Sequence, residues 1–223
     1  MTITVLKVGG SLASYPEKLR ALCLKLYEVS KRHVLILVPG GGEFADVARN
    51  IDKRFNLSAE ASHRMAILGM DQFGLLLGDL IPGSFVVKTL REAENTSALG
   101  KLPVFLPSRL MLSEDPLENS WDVTSDTIAT YIAHRLQAKK LLLVTDVDGI
   151  YTCDPNEQDS EAKLIEKLSA KELLLIGKRT SVDAFLPKLL LKWKLDCYVV
   201  NGLFAERVEA VLDGQHTVST LIF

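Results

Sequence analysis

Two glycine-rich stretches follow short apolar runs in this chain: Lys7-Val8-Gly9-Gly10-Ser11 and Pro39-Gly40-Gly41-Gly42-Glu43. Consecutive glycines let backbone N–H groups approach an anion without a Cβ in the way, and a helix starting just beyond adds a partial positive charge. The first stretch puts Lys7 near a strand end, where its ammonium could meet a phosphoryl group. Taken alone, it fits a plain strand-to-helix turn as well as it fits an anion site. Its spacing is neither that of a Walker A loop nor that of the dinucleotide G-x-G-x-x-G, so the mechanisms tied to those loops are disfavoured. The triple glycine is a backbone nest for a second anion or a polar acceptor, with a tight turn as the plain alternative. Two nests at the ends of neighbouring strands could grip both ends of a phosphoryl transfer.

Other residues fit around these two. Thr124-Ser125-Asp126 offers a helix N-cap, and its carboxylate could also orient Lys7 and a second lysine from the same side. Thr145-Asp146-Val147-Asp148-Gly149-Ile150-Tyr151, followed by Asp154-Pro155, reads as a strand and a turn. It lacks the full EF-hand loop, so calcium is disfavoured. Lys188 lies in a helical stretch after the polar segment Gly177–Ser181, a position where a lysine is ordinarily solvated. His63 stands alone between Ser62 and Arg64. A single helix histidine is more often packed or at the surface than a ligand.

The elements that must position these groups follow from apolar periodicity. Ile3–Val8 is a short apolar, β-branched-rich run and Val34–Val38 is continuously apolar, the pattern of a strand covered on both faces, and Leu19, Leu22, Leu26 and Val29 between them keep helical spacing. Strand, helix, strand over about 35 residues is a right-handed βαβ unit. Helices are expected at Phe44–Arg54, Ala59–Leu80, from Thr124 to Arg135, at Ala170–Ile176, at Val182–Trp193 and from Ala205. Strands are expected at Phe85–Val87, Val104–Leu106, Leu141–Thr145, Cys197–Val200 and Val218–Ile222, and a polar loop at Asp154–Lys163. No linker or repeat interrupts the pattern. The expectation is one α/β domain over residues 1–223 with a mainly parallel sheet, its ligands at the C-terminal strand ends. Those ends carry Gly9-Gly10-Ser11, Gly40–Gly42, Asp146–Gly149 and Asn201-Gly202.

Composition narrows the class. The chain has 223 residues, 48% of them hydrophobic, with 26 Lys and Arg against 28 Asp and Glu, a net charge of −2. That balance argues against a nucleic-acid surface. A small anion needs only one or two lysines, so a neutral total can hide one concentrated positive site. No apolar run nears the roughly 20 residues that span a bilayer, and the start lacks the basic region of a signal peptide. Cys23, Cys153 and Cys197 are odd in number and form no CxxC pair, which suits reduced thiols in a cytoplasmic chain.

Taken in order, KVGGS, GGG, TSD before a helix, TDVDGIY with a following DP, a late helical lysine and VVNG resemble the amino-acid kinase family over nearly the whole chain. The resemblance implies a three-layer αβα fold, a mainly parallel central sheet sandwiched by helices. It implies an acceptor-side lobe over about residues 1–136 and a nucleotide-side lobe over about 137–223. It also implies ATP with Mg²⁺ held mainly through the nucleotide phosphates, no protein metal site, and a homo-oligomer in the cytoplasm. Its implied catalytic residues are Lys7, Asp126 and Lys188. ATP would meet Gly9, Gly10, Ser11, Thr145, Asp146, Asp148, Gly149 and Tyr151, and the acceptor would meet Gly41, Gly42, Glu43, His63 and Asn201. One departure is that GKRTSVDAFLPK stands where many members carry a TGGM segment before the late lysine.

Within the family, PGGGEFA, SHRMAILGMDQFG, SWDVTSDT, TSVD and VVNG resemble the branch that phosphorylates an aminomethylfuran phosphate in methanofuran biosynthesis. Members that phosphorylate isopentenyl phosphate use a histidine in a comparable helix, which points to His63 as an acceptor-phosphate ligand. Glu43 or Asp71 could then pair with a substrate ammonium. Isopentenyl phosphate, uridylate or carboxylate acceptors, and a non-catalytic nucleotide or oxyanion-binding protein, are the competing expectations.

Overall fold

The computed structural model describes residues 2–153, 161–176 and 180–223. The chain opens with β1 (Thr4–Val8), a 3-10 turn (Gly10–Ser14), α1 (Pro16–Ser30) and β2 (Leu35–Pro39). Two helices follow, α2 (Gly42–Phe55) and α3 (Ala59–Leu80), then β3 (Phe85–Val87), α4 (Leu90–Ala98), β4 (Pro103–Phe105), α5 (Ser108–Glu114) and α6 (Ser125–Arg135). Next come β5 (Lys140–Thr145), the paired β6 (Ile150–Tyr151) and β7 (Leu164–Ile165), and β8 (Lys167–Leu168). The chain ends with α7 (Ala170–Ile176), α8 (Leu186–Trp193), β9 (Asp196–Asn201), α9 (Ala205–Leu212) and β10 (Ser219–Ile222).

Eight strands form one sheet in the order β3-β4-β2-β1-β5-β9-β10-β8. Neighbours are parallel except β9 and β10. β1 pairs with β2 on one side and β5 on the other, so the strand order reverses beside it. Chain segments leaving β1 and β5 diverge there and open a crevice past their C-terminal ends.

Side chains alternate across a strand, and the two faces of the sheet build two cores. Leu6, Val8, Leu35, Leu37, Leu142 and Val144 face one way, onto Leu22 and Leu26 of α1 and Val208 of α9. Val5, Ile36, Val38, Leu141, Leu143 and Val199 face the other, onto Ile128 and Ile132 of α6 and Leu186 and Leu190 of α8. Helices on both faces of a mostly parallel sheet make three layers. Of the expected strands, Leu141–Thr145 and Cys197–Val200 lie inside β5 and β9.

The structure adds elements that periodicity did not indicate. The nine residues of α4 begin at a capping box: the Thr89 hydroxyl accepts from Glu92 N–H at 3.2 Å, and Glu92 Oε2 accepts from Thr89 N–H at 3.0 Å. The seven-residue α5 is too short to show an apolar stripe. The expected helix at Val182–Trp193 starts instead at Leu186, because the Asp183 carboxylate takes the Phe185 and Leu186 N–H groups and turns the preceding residues out of the helix. Of the expected polar loop at Asp154–Lys163, residues 154–160 lie outside the described residues. Its far end returns to Thr152, whose N–H donates to Lys163 O at 3.0 Å.

Candidate active site

Lys7 lies on the same face of β1 as Val5, the face covered by α6. Thr124 caps α6 through its hydroxyl, and the capped turn carries Asp126 over the end of β1. Lys7 Nζ meets Asp126 Oδ1 at 2.6 Å, with both side chains only 9% exposed. Each buried charge is thus matched by the other. The second Asp126 oxygen, Oδ2, accepts from the backbone N–H of Asp183 at 3.2 Å.

The two glycine turns touch each other. A Cβ on Gly10 would lie 2.0 Å from Gly42 N, and one on Gly40 would lie 2.6 Å from Gly10 N. Gly42 also has φ +53, a conformation that other residues avoid. Backbone contact between the turns therefore demands glycine here before any ligand is considered.

Past these turns opens a cavity of about 440 Å³. It brings together Lys7, Gly9, Gly10, Ser11, Gly41, Gly42, Glu43, His63, Asp126, Thr145 and Asp146 of the expected site. Ser11 Oγ donates to Asp146 Oδ1 at 2.9 Å and Thr145 Oγ1 donates to the same oxygen at 3.1 Å, tying the β1 turn to the end of β5. His63 is buried, and that burial lowers its pKa from the ordinary 6.5, with Asp115 and the Ser120 backbone opposing the shift. Burial therefore favours the neutral imidazole.

Other expected residues fall outside this cavity. Asn201 is buried and holds the chain together: its Nδ2 donates to Asp148 Oδ1 at 2.8 Å and its Oδ1 accepts from Leu203 N at 3.0 Å. Arg207 also donates to Asp148 Oδ1, at 2.7 Å. Gly149 is pinned by Thr220, whose Oγ1 would lie 2.3 Å from a Cβ there. Tyr151 follows in β6, where burial and then the nearby Asp148 push its phenol pKa up. Lys188 is exposed on α8 with its Nζ 4.7 Å from the Phe185 ring centroid. It lines a separate cavity of about 230 Å³ with Thr180, Asp183 and Pro187. Asp71 is occupied too, its carboxylate accepting from Ser108 N at 3.1 Å and from the Ser108 hydroxyl, so it fastens the start of α5 to α3.

The structure also brings in residues that the sequence did not single out. Arg49 lines the cavity from α2, on one helix face with Glu43 and Asp46, and its guanidinium lies 4.7 Å from the Trp121 ring centroid. Trp121 is anchored by its Nε1–H to Asp52 Oδ2 at 2.7 Å. The Ser181 hydroxyl lines the cavity as a buried atom with no hydrogen-bond partner among the described residues. The helical spacing of Glu43, Asp46 and Arg49 was readable, but it is also the spacing of an ordinary solvated face. With His63 neutral, the cavity's charged groups among the described residues are Lys7 and Arg49 against Glu43, Asp46, Asp126 and Asp146. Two cations against four carboxylates leave −2. The described lining thus carries no excess of positive charge: Lys188 lines the other cavity, and α2 contributes two acids.

Known proteins share this architecture and sequence. The family model described as the amino acid kinase family matches residues 2–190. The [5-(aminomethyl)furan-3-yl]methyl phosphate kinase of Methanocaldococcus jannaschii is 38% identical over 221 residues, covering 98% of this chain and 96% of that protein. The uridylate kinase of Pyrococcus abyssi is 29% identical, covering 97% of this chain and 98% of the relative. In solved structures, the Archaeoglobus fulgidus uridylate kinase superposes with TM-score 0.78 at 24% identity over the full length of both chains. The Bacillus anthracis UMP kinase gives 0.80 at 18% identity over 99% of this chain and 94% of that one. A match that runs through the Lys7 and Asp126 elements and across nearly all of the sheet leaves one assignment: the chain belongs to the amino acid kinase family and is a phosphotransferase.

Proposed function

We propose that this kinase transfers the γ-phosphoryl group of ATP to a small phosphate monoester, with (5-(aminomethyl)furan-3-yl)methyl phosphate as its acceptor, forming the diphosphate and ADP in methanofuran biosynthesis. The observation that carries the reading is the buried Lys7–Asp126 pair facing two abutting glycine turns across one cavity. The acceptor is chosen on the 38% identity to the aminomethylfuran phosphate kinase, against 29% to a uridylate kinase at similar coverage.

Phosphoryl transfer passes through a loose transition state, so positioning and charge stabilisation dominate. Lys7 stabilises charge on the transferred group, and Asp126 keeps its ammonium in place. Gly9, Gly10 and Ser11 hold the nucleotide phosphates, and the nucleotide extends past Thr145 and Asp146 toward Asp148, Gly149 and Tyr151. Gly41, Gly42, Glu43 and His63 face the acceptor, joined by Arg49 and Trp121. The acceptor phosphate, with a second pKa near 6, is already a dianion at pH 7 and needs no general base. Mg²⁺ held through the ATP phosphates would supply neutralisation of phosphate charge. Asp146, a carboxylate lining the cavity at the end of β5, would be a group able to meet the ion. A described lining with net charge −2 suits substrates that bring cations with them, the metal on ATP and an ammonium on the acceptor.

This reading divides the chain into an acceptor-side lobe near residues 1–136 and a nucleotide-side lobe near 137–223. It places the protein in the cytoplasm as a homo-oligomer that covers the exposed Leu68, Leu75 and Leu76 of α3. No helix of the described residues is long and apolar enough to cross a membrane.

ADP release measured with aminomethylfuran phosphate, isopentenyl phosphate, uridylate and glutamate tests the proposal. The first acceptor should exceed the others by about 100-fold or more in kcat/KM, a transition-state difference of roughly 3 kcal/mol. Preference for uridylate would overturn the acceptor. ATP binding without turnover of any acceptor would make the chain a nucleotide-binding protein.

A further inference from the structure

Asp183 is 2% exposed and accepts six hydrogen bonds. Its Oδ2 receives Thr124 N–H at 3.0 Å, the Thr124 hydroxyl at 2.8 Å and Thr127 N–H at 3.0 Å. Its Oδ1 receives the Thr127 hydroxyl at 2.7 Å, Phe185 N–H at 3.2 Å and Leu186 N–H at 2.8 Å. One carboxylate thereby satisfies unpaired N–H groups at the starts of both α6 and α8. The Asp183 N–H, in turn, donates to Asp126 Oδ2 at 3.2 Å, while Asp126 Oδ1 faces Lys7 Nζ at 2.6 Å.

Asp126 is therefore gripped at both oxygens. Rotating its carboxylate would break either the Lys7 pair or the Asp183 bond. Capping alone does not require this residue type, because serine, threonine or asparagine caps a helix without burying a second charge. Here the second carboxylate sits beside Asp126, where burial and then the Asp126 charge push its pKa up. An arrangement that keeps two acids adjacent at such a cost implies a need for the geometry they set.

We propose that Asp183 is a positioning residue for phosphoryl transfer, fixing the orientation of Asp126 and through it the place of the Lys7 ammonium. The inference rests on the proposed roles of Lys7 and Asp126, and the experiment separates the two. Asp183→Asn puts an amide NH₂ against converging donors in a nearly unchanged volume. With ATP and aminomethylfuran phosphate, Asp183→Asn should lower kcat by about tenfold or more and keep the KM for ATP within about threefold. Circular dichroism and a melting curve establish that the variant is folded at the assay temperature.

A double-mutant cycle with Lys7→Ala gives the readout that a purely structural clip would not move. In the Lys7→Ala background, Asp183→Asn should cost less than about threefold in kcat, because the group it positions is gone. Independent, multiplying losses overturn the inference, as does a lowered melting temperature with full kcat. Thr127→Val is the second variant should Asp183→Asn fail to fold, since it removes one donor to Oδ1 and keeps the volume. It should lower kcat about threefold or more in the native background and leave it unchanged beside Lys7→Ala; unchanged kcat in both overturns the inference. Full kcat in Lys7→Ala itself would overturn the proposed mechanism and this inference with it.

Discussion

Replacing Lys7 with methionine keeps most of the side chain's volume and removes its ammonium from the buried pair. At 2.6 Å and an effective dielectric constant of about 20, the attraction is about 6 kcal/mol. Desolvating two ions that are each 9% exposed costs several kcal/mol apiece, so the intact pair is close to energetically neutral. Removing one partner is different. Lys7→Met leaves the Asp126 charge buried with only the Asp183 N–H, a loss of about 3–5 kcal/mol. For a chain of this size each kcal/mol lowers Tm by roughly 2–4 °C, so the fall should be roughly 6–20 °C. Adding Asp126→Asn removes the stranded charge and keeps an oxygen for the Asp183 N–H, and should restore about half of the lost Tm or more. Activity should not follow. Losing one group that stabilises transition-state charge costs about 100- to 1000-fold in kcat, and the double variant should remain that slow. Thermal unfolding by circular dichroism and an ADP-release assay read the two effects separately. A double variant as unstable as Lys7→Met would show the pair to be a net stabiliser and refute the reasoning; unchanged kcat would remove Lys7 from the mechanism.

Four further substitutions test the geometry. His63→Ala should raise the acceptor KM about tenfold and spare that for ATP, whereas equal effects on both would remove it from the acceptor site. Burial lowers the His63 pKa below 6.5, so the unfolded chain binds the extra proton more readily. The stability that the neutral imidazole supports above pH 6.5 is then lost as pH falls through the lowered folded pKa, and Tm followed from pH 7 to pH 5 should drop less in His63→Ala than in the unsubstituted chain. Gly10→Ala should cost about 3 kcal/mol or more and disable catalysis, because its Cβ meets Gly42 N at 2.0 Å. Gly100→Ala, at φ +70 with open space around it, should cost about 1 kcal/mol by urea unfolding and leave activity unchanged. Asp71→Ala should lower stability by about 1–3 kcal/mol through its lost bonds to Ser108 and leave both KM values unaltered; a raised acceptor KM would return Asp71 to the substrate site.

How far residues announced their roles depended on whether the cause was local. β1, β2, β5 and β9 were legible because a strand covered on both faces is apolar over most of its length. Lys7 stands out against that run, and Asp126 follows a recognisable N-cap. The short α4 and α5 escaped because their signals are a capping box and a bond from Asp71, neither of which is periodic. At Gly10 and Gly42 an anion site or a tight turn accounts for glycine in the sequence, and contact between the two turns adds a further requirement for it. Asn201, read as a substrate ligand from VVNG, is committed to Asp148 and Leu203. Arg49 looks like any solvated helix residue until Trp121 arrives from more than 70 positions away to cover it. Asp183 is harder still, since Thr124 and Thr127, which define it, lie 59 and 56 residues distant.

The contact between Gly10 and Gly42 also bears on how the enzyme's preferences could be altered. Because the main chains of the two turns touch, neither can be lengthened, shifted or given side chains without prying apart its neighbour, to which the proposed function assigns the other reactant. In the proposed reading the turns would act as a fixed gauge, setting one separation of donor and acceptor whatever molecule is carried. Redesign of acceptor choice is thereby confined to the walls, to Glu43, Asp46 and Arg49 on α2, His63 on α3 and the Trp121 loop, where side chains can be exchanged while the gauge stays as it is.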